Sequence, residues 1–431
     1  MSQFRTIQVN ALTRVEGEGG LHVRLKGDVI EEVQLAIYEP PRFFEAFLRG
    51  RPLTEVPDIV ARICGICPVA YQMTAVHALE NALGITVSPE IRQLRRLLYC
   101  GEWIESHALH VHLLHAPDYF GCDSGIKLAE RFPQEIARGL RLKKHGNELL
   151  EALGGRAIHP INVAVGGFYR SPRREELAKL IPDFQWGLDA AIAATRWVAS
   201  FPIPEMNRHY DMVALVHPNE YPMNEGNVCS STGLNLPVSD YENEFEEEHV
   251  PHSTALHSVR KHLRSCYHVG PLARVNLNFN KLSPMARQVA AEVSFTVPCN
   301  NPFRSVIARC LEVVHAYEEA LQILQTYRPF TPPRLPLTYR QAEGCAATEA
   351  PRGLIYHRYQ VDDQGKVTFA KIVPPTSQNQ RQMEADLRDY LPSVLHHPDS
   401  QAAYECERLI RCYDPCISCS THFLKLKVER G

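Results

Sequence analysis

The sequence predicts a predominantly helical α+β protein folded as one compact body. Three observations predict it. Long stretches repeat apolar residues at spacings of three and four, the period of a helix with one buried face. Short stretches toward both ends alternate apolar and polar residues around turn signals, the period of a strand. No internal repeat or low-complexity linker divides the 431 residues, so the elements are expected to share one core.

The elements follow in order. Leu21, Val23 and Leu25 face one way, Lys26-Gly27-Asp28 turns, and Val29 to Tyr38 resumes, which predicts a β-hairpin or small sheet. From Pro89 to His115 the apolar positions Ile91, Leu94, Leu98, Trp103, Ile104, Leu109 and Leu113 predict a long, mostly buried helix. Further helical patterns cover 134–153 and 174–199. The stretch 202–282 is richer in Pro, Asn and Gly and reads as loops and short strands. Helices are expected from Pro284 to near Pro298 and from Pro302 to Tyr327. Leu354–Val361 and Lys366–Val373 flank Asp362-Asp363-Gln364-Gly365, a second hairpin signal. A last helix covers 399–412 and stops at Asp414-Pro415.

Composition removes several function classes. The chain carries 46 basic and 49 acidic residues, a formal charge of -3, which is no footprint for nucleic acid or an anionic membrane. No charge-free apolar run approaches the ~18 residues of a spanning helix. The N-terminus MSQFRTIQVNALTRVEGEGG lacks the apolar region of a signal peptide, so a cytoplasmic protein is expected. Thirteen cysteines, an odd number in a long chain, fit a reducing compartment with a metal or redox role, several thiols being plain core residues.

Two cysteine pairs stand out: Cys64-Gly65-Ile66-Cys67 and Cys416-Ile417-Ser418-Cys419. Two residues between thiolates let both point at one metal, with the intervening amides free to bond the sulfurs. A local zinc ribbon would place its pairs about 15–20 residues apart, whereas these lie near opposite ends of the chain. A thioredoxin-like pair would follow a strand in a βαβ unit, and nothing of that kind precedes Cys64. Chance pairs of core cysteines are the remaining alternative. The segment Ser106 to His115 holds four histidines, His107 and His110 sharing a helix face. It reads as core histidines bonded to carbonyls rather than a metal site.

The wider context of the pairs is Arg62-Ile63-Cys64-Gly65-Ile66-Cys67-Pro68 and Asp414-Pro415-Cys416-Ile417-Ser418-Cys419-Ser420-Thr421-His422. Together they resemble the large subunit of nickel–iron hydrogenases, in which an N-terminal RxCGxC and a C-terminal DPCxxCxxH build the metal site. Thr13-Arg14-Val15-Glu16-Gly17 and Ala350-Pro351-Arg352-Gly353 extend the match, all four motifs standing in family order. Ile372-Val373-Pro374-Pro375-Thr376 and the short length most resemble the cytoplasmic, NAD(P)-linked bidirectional enzymes and sulfhydrogenases. The resemblance implies a central helical bundle with small peripheral sheets, one domain over 1–422, and a removable tail over 423–431.

The resemblance also implies the site. Cys64, Cys67, Cys416 and Cys419 would ligate nickel, and Cys67 and Cys419 would bridge to an iron carrying carbon monoxide and cyanide. Soft thiolates suit a redox-active nickel. Glu16 would take the proton released when dihydrogen splits; the plain alternative is an exposed Glu on a hairpin, with Arg14 and Glu18 as surface charges. Arg352 would hold a fixed cation over the metals, or simply pair with Asp414. A distal Mg²⁺ or Fe²⁺ would be bound by Glu45, by His422 and by a backbone carbonyl at Lys371 or Ile372. The sequence departs from many relatives at Tyr71, which replaces a His; at Ser106, which replaces an acid; and at Pro375, which replaces a Ser and leaves Thr376 or the backbone to serve a cyanide.

The activity implied is H₂ ⇌ 2H⁺ + 2e⁻. Cys100, Cys122, Cys229, Cys266, Cys299, Cys310, Cys345, Cys406 and Cys412 show no iron–sulfur spacing, and no Rossmann glycine pattern is present. Electrons would therefore leave through an iron–sulfur small subunit, with flavin or NAD(P) diaphorase-type subunits beyond it. A maturation endopeptidase would remove the tail. Two other readings are a non-catalytic hydrogen sensor on the same scaffold and a quinone-binding respiratory subunit. The four cysteines argue against the second.

Overall fold

The computed structural model describes residues 4–27 and 29–421. We number the elements that build the site. Near the N-terminus, β1 (Phe4–Val9), β2 (Gly19–Lys26) and β3 (Val29–Ile37) form an antiparallel sheet in that order. The alternation of Leu21, Val23 and Leu25 is borne out: all three are buried. The short helix α1 (Phe44–Leu48) follows.

Helices then build the main core. They are α2 (Pro68–Leu83), α3 (Pro89–Leu109), α4 (Pro133–Gly154), α5 (Ile181–Ala199) and α6 (Ser305–Thr326). Gly101 of α3 and Gly146 of α4 let these two helices touch: a Cβ on Gly146 would meet the Gly101 carbonyl oxygen at 2.6 Å. Ser88 caps α3 by accepting from Ile91 N, and Pro89 fills the first turn, where a missing N–H costs nothing. The long helix expected over 89–115 is α-helical to Leu109 and becomes a π-turn over His110–His115. The helix expected over 174–199 is two, Arg174–Ala178 and α5, because Pro182 has no N–H to continue a helix and instead sits in a first turn. The helix expected to break near Pro298 ends at Glu292.

Between them the chain is mostly loops and short strands as expected, with β4 (Phe245–Glu248) and β5 (His257–Arg260) paired antiparallel, but Pro271–Asn278 form a helix that the reading of 202–282 did not include. The second hairpin is borne out and gains a strand. β6 (Ala342–Ala350), β7 (Gly353–Val361) and β8 (Val367–Val373) form an antiparallel sheet. Two final helices, α7 (Pro375–Tyr390) and α8 (Asp399–Arg411), pack on the N-terminal sheet, so the two ends of the chain share one hydrophobic cluster. Arg5 of β1 seals that contact, donating to Asp399 and to the Leu395 carbonyl.

Two of the longer helices had no signal in the sequence. α2 is buried on every side, with 14 of 16 residues inside, so it shows no apolar stripe. α7 hides a polar face. Asn379 exchanges hydrogen bonds with the Val269 backbone at 2.9 and 3.0 Å, and Gln378 donates to the Leu354 carbonyl at 2.5 Å.

Candidate metal centre

The first cysteine pair sits where a loop enters α2. Cys67 occupies the cap position and Pro68 opens the helix. The Cys64 sulfur accepts from the amides of Ile66 and Cys67, both at 3.3 Å, the bonding that this spacing permits. Glu102 of α3 receives the Val69 and Ala70 amides at 2.6 and 3.1 Å and so fixes the start of α2. The second pair follows α8. Asp414 turns the chain with φ 53°, a left-handed conformation that Asp tolerates, and Cys416 to Cys419 then run under the first pair.

The four cysteines converge. All are buried, and their sulfurs lie within 4.8 Å of one another. Cys64 and Cys416 approach to 3.6 Å, and Cys67 and Cys419 to 3.9 Å. Cys416 and Cys419 lie as a sulfur–sulfur pair; metal loading requires both as thiolates. Four soft donors at this separation fit a thiophilic transition metal. The field also fits. The bond from Cys67 holds the Cys64 thiol below its ordinary pKa, against burial, and Arg352 adds to the lowering.

Arg352 stands at the tip of the β6–β7 hairpin. Gly353 has φ 135°, and a Cβ there would lie 2.8 Å from Gly270 N, so only glycine lets the tip reach inward. The guanidinium donates to the Asp414 carbonyl at 2.6 Å and its carboxylate at 3.2 Å. Both roles considered for Arg352 are therefore compatible: it pairs with Asp414, and its buried Nη1 has no hydrogen-bond partner. Burial opposes its charge, but Asp414, Cys67 and Cys64 together hold it protonated. A second buried cation, Arg309, lies 3.8 Å from the other Asp414 oxygen.

Glu16 meets the second pair directly. Its carboxylate accepts from Cys416 Sγ at 3.0 Å and from Ser418 N at 3.1 Å, while its carbonyl accepts from Ile417 N at 2.8 Å. Gly17 permits this approach. Its φ is 88°, and a Cβ would lie 2.9 Å from Ser418 N. The neighbouring Arg14 is not a surface charge. It bonds the Leu114 carbonyl and pairs with buried Asp118 at 2.5 Å.

Of the segments expected to share a distal cation, two meet directly. Glu45 on α1 accepts from Ile372 N of β8 at 2.9 Å, joining two of the expected segments. Lys371 turns its ammonium away to Glu242 at 3.0 Å, which leaves only its backbone for a cation. Arg42 N bonds the Thr421 carbonyl at 2.6 Å, bringing the C-terminal segment beside α1. His422 and the tail 423–431 lie outside the described residues.

The histidine-dense segment does not form a site. His107 bonds Glu312 at 2.9 Å, His110 the Arg411 carbonyl at 2.7 Å, His112 the Ala108 carbonyl at 3.0 Å, and His115 lies 3.4 Å from the Tyr119 hydroxyl. Burial pulls His107 and His112 down to about 4, so both are neutral. Where the sequence departs from many relatives, Tyr71 and Ser106 each bury a hydroxyl without a hydrogen-bond partner. Thr376 Oγ1 accepts from Cys416 N at 3.0 Å, so its own proton is available to a neighbour. Glu102 and Arg309 had no local signal in the sequence; both sit on helices remote from every motif.

A buried four-sulfur site with a carboxylate on one sulfur and a fixed guanidinium beside it defines a redox metalloprotein. Comparison gives the family. The nickel-dependent hydrogenase family model matches residues 42–147 and 260–422. Sulfhydrogenase 1 subunit alpha of Pyrococcus furiosus is 34% identical over 98% of this chain and 99% of its own length. The NAD-reducing hydrogenase HoxS subunit beta of Cupriavidus necator is 26% identical, covering 97% and 95%. A crystal structure of an NAD⁺-reducing [NiFe]-hydrogenase in the H₂-reduced state superposes with a TM-score of 0.87 at 26% identity, covering 97% of this chain and 99% of that one. This chain belongs to the nickel–iron hydrogenases and is a large, catalytic subunit of that family.

Proposed function

We propose that this subunit carries out reversible oxidation of dihydrogen at Cys64, Cys67, Cys416 and Cys419 and passes the electrons through an iron–sulfur small subunit to NAD(P). The observation that carries the reading is the convergence of four buried sulfurs with Glu16 hydrogen-bonded to one of them. All four cysteines would hold nickel, and Cys67 and Cys419 would also hold an iron bearing carbon monoxide and cyanide. Such a pair of metals supplies heterolytic cleavage of dihydrogen and two one-electron steps.

The chain's own groups manage the proton. Cys416 Sγ is positioned to hand it to Glu16 Oε2 across 3.0 Å. Ser418 Oγ bonds Glu39 at 3.0 Å, so a half-exposed second carboxylate stands beyond Glu16 on the way to solvent. Arg352, held by Asp414, keeps a positive charge beside the sulfurs and stabilises negative charge that develops there. The Thr376 hydroxyl suits an anionic diatomic ligand. Glu45 and a carbonyl at Lys371 or Ile372 would hold a distal Mg²⁺ or Fe²⁺ with His422, tying the C-terminus down once 423–431 are removed by an endopeptidase.

The acceptor reading rests on the names of relatives, an NAD-reducing hydrogenase subunit and an NAD⁺-reducing structure. No described helix is long and apolar enough to cross a membrane, which accords with a cytoplasmic complex carrying diaphorase-type subunits. The test is anaerobic assay of the native complex with dihydrogen and NAD⁺ or NADP⁺. Reduction of either at rates comparable to an artificial viologen dye supports the reading. Viologen reduction without either nucleotide removes the acceptor, and no hydrogen uptake at all removes the activity.

A further inference from the structure

Away from the cysteines, three side chains from separate segments gather between α7, β3 and the start of β5. His252 comes from the loop after β4, His257 opens β5, and Glu384 projects from α7. One ligand atom from each lies within 4.8 Å of the other two. His252 Nε2 is 2.7 Å from Glu384 Oε1, and the two rings stand 5.6 Å apart. We propose that His252, His257 and Glu384 form a second metal site that takes one zinc(II) ion.

The donor set carries the assignment. Two imidazoles and a carboxylate on separate segments are a recurrent zinc arrangement, with water in the fourth position. His257 is 2% exposed, yet its Nε2 has no hydrogen-bond partner. A buried polar atom of this kind costs free energy unless something binds it. Burial also draws the His257 pKa below its ordinary value, although Glu384 opposes this, so the ring is neutral and offers a lone pair. His252 and Glu384 are each about one-sixth exposed, which leaves an entry path. Ligand atoms of a tetrahedral zinc stand about 3.3 Å apart, so only small side-chain shifts are needed. Arg381, one turn earlier on α7, is engaged by Glu248 at 2.9 Å and does not fill the place of a cation.

A second cluster, His145, Glu148 and Asp183, shows the contrast. There Arg141 already donates to His145 at 3.4 Å and to Asp183 at 3.3 Å, so a cation is built in. The His145 Nδ1 also has the Tyr317 hydroxyl at 3.5 Å. Among the described residues none donates to His257 Nε2 in that way.

The ion would act as a staple. Glu384 already accepts from Leu35 N of β3 at 2.9 Å. Thr254, two residues after His252, donates to the Ile37 and Glu39 carbonyls at 3.0 and 2.7 Å. Zinc would lock this loop, β3 and α7 together beside Glu39, which holds Ser418.

The experiment uses the nickel-loaded native complex, freed of loosely held metal by a mild chelator, with zinc chloride alone as probe. Loading the cysteine site first keeps zinc from binding there. Calorimetry and metal analysis should give one zinc per chain at micromolar or lower free zinc and a raised Tm. His257→Gln, His252→Gln and Glu384→Gln should each weaken zinc binding at least about tenfold with nickel content unchanged. Glu384→Gln retains an oxygen for Leu35 N, so it serves if the buried histidine variant fails to fold. No zinc uptake by the wild-type complex, or equal uptake by the wild type and all folded variants, overturns the assignment.

Discussion

The histidine segment and the cysteine pairs are where the sequence packs metal-binding side chains most densely, and of these two only the cysteines gather into a candidate metal centre. Four histidines within nine residues, 107–115, fan out around their helix, and each is bonded to a different neighbour. Four cysteines from opposite ends of the chain meet within 4.8 Å. Local density of ligands is thus a poor guide. A centre forms where separate elements aim side chains into one space and the structure leaves them no better partner. The histidines of 107–115 also each leave one buried ring nitrogen unbonded, but His257 resembles the cysteines in a way they do not, because His252 and Glu384 bring ligand atoms within 4.8 Å of it.

That contrast is broken or sharpened by substitution. The largest effect is expected at the cysteines. Cys64→Ser or Cys419→Ser replaces a soft thiolate by a hydroxyl that stays protonated, and should abolish both hydrogen turnover and nickel retention. Metal analysis beside a viologen assay checks both, and an active, nickel-bearing serine variant would break the contrast.

Next is Glu16→Gln. It keeps shape and an acceptor for Ser418 N but cannot take a proton. Nickel should remain, while hydrogen–deuterium exchange with water falls by at least about 10²-fold. Exchange near the wild-type rate would remove Glu16 from the proton route. Arg352→Lys should also be severe, because an ammonium cannot bond the Asp414 carbonyl and carboxylate as the planar fork does.

The histidine segment should fail in the other currency, stability. His107→Ala takes one partner from the buried Glu312, which keeps Arg274 and Tyr221. A loss of about 1–3 kcal/mol is expected, read by denaturant unfolding, with nickel content unaltered in the folded fraction. Loss of nickel at full stability would instead make this segment part of the centre.

The effect that vanishes at neutral pH is in the pH dependence. His112 falls to about 4 through burial, outweighing its bond to the Ala108 carbonyl, whereas an unfolded histidine titrates near 6.5. Between those values the unfolded chain carries the extra proton. Stability is therefore full above about pH 6.5 and declines as pH falls toward about 4. His112→Phe, which preserves stacking area against Trp197, should lower the slope of that decline by about one proton, roughly 1.4 kcal/mol per pH unit. An unchanged slope would mean that His112 is already protonated when folded.

Much of this was legible in the sequence because period and motif are local. The amphipathic α4, α6 and α8 lie within two or three residues of where their apolar spacing put them. Both hairpins declared themselves through Lys26-Gly27-Asp28 and Asp362-Asp363-Gln364-Gly365. α2 was illegible because burial on all sides erases the stripe, and α7 because Gln378, Asn379 and Gln382 look solvated, yet inside the protein the first two bond backbone of other segments and Gln382 donates to Asp386 of the same helix. At the centre, the motifs named the cysteines, Glu16 and Arg352. Glu102 and Arg309, which brace it from α3 and α6, carry no motif, since a buried ionisable side chain is recognised only by what surrounds it.

Nickel K-edge X-ray absorption of the active complex tests the central claim most directly. Sulfur should dominate the atoms bound to nickel, with the sulfur count falling in Cys64→Ser or nickel lost altogether. A shell of nitrogen and oxygen atoms, unchanged when the cysteines are replaced, would place nickel among the histidines and contradict it.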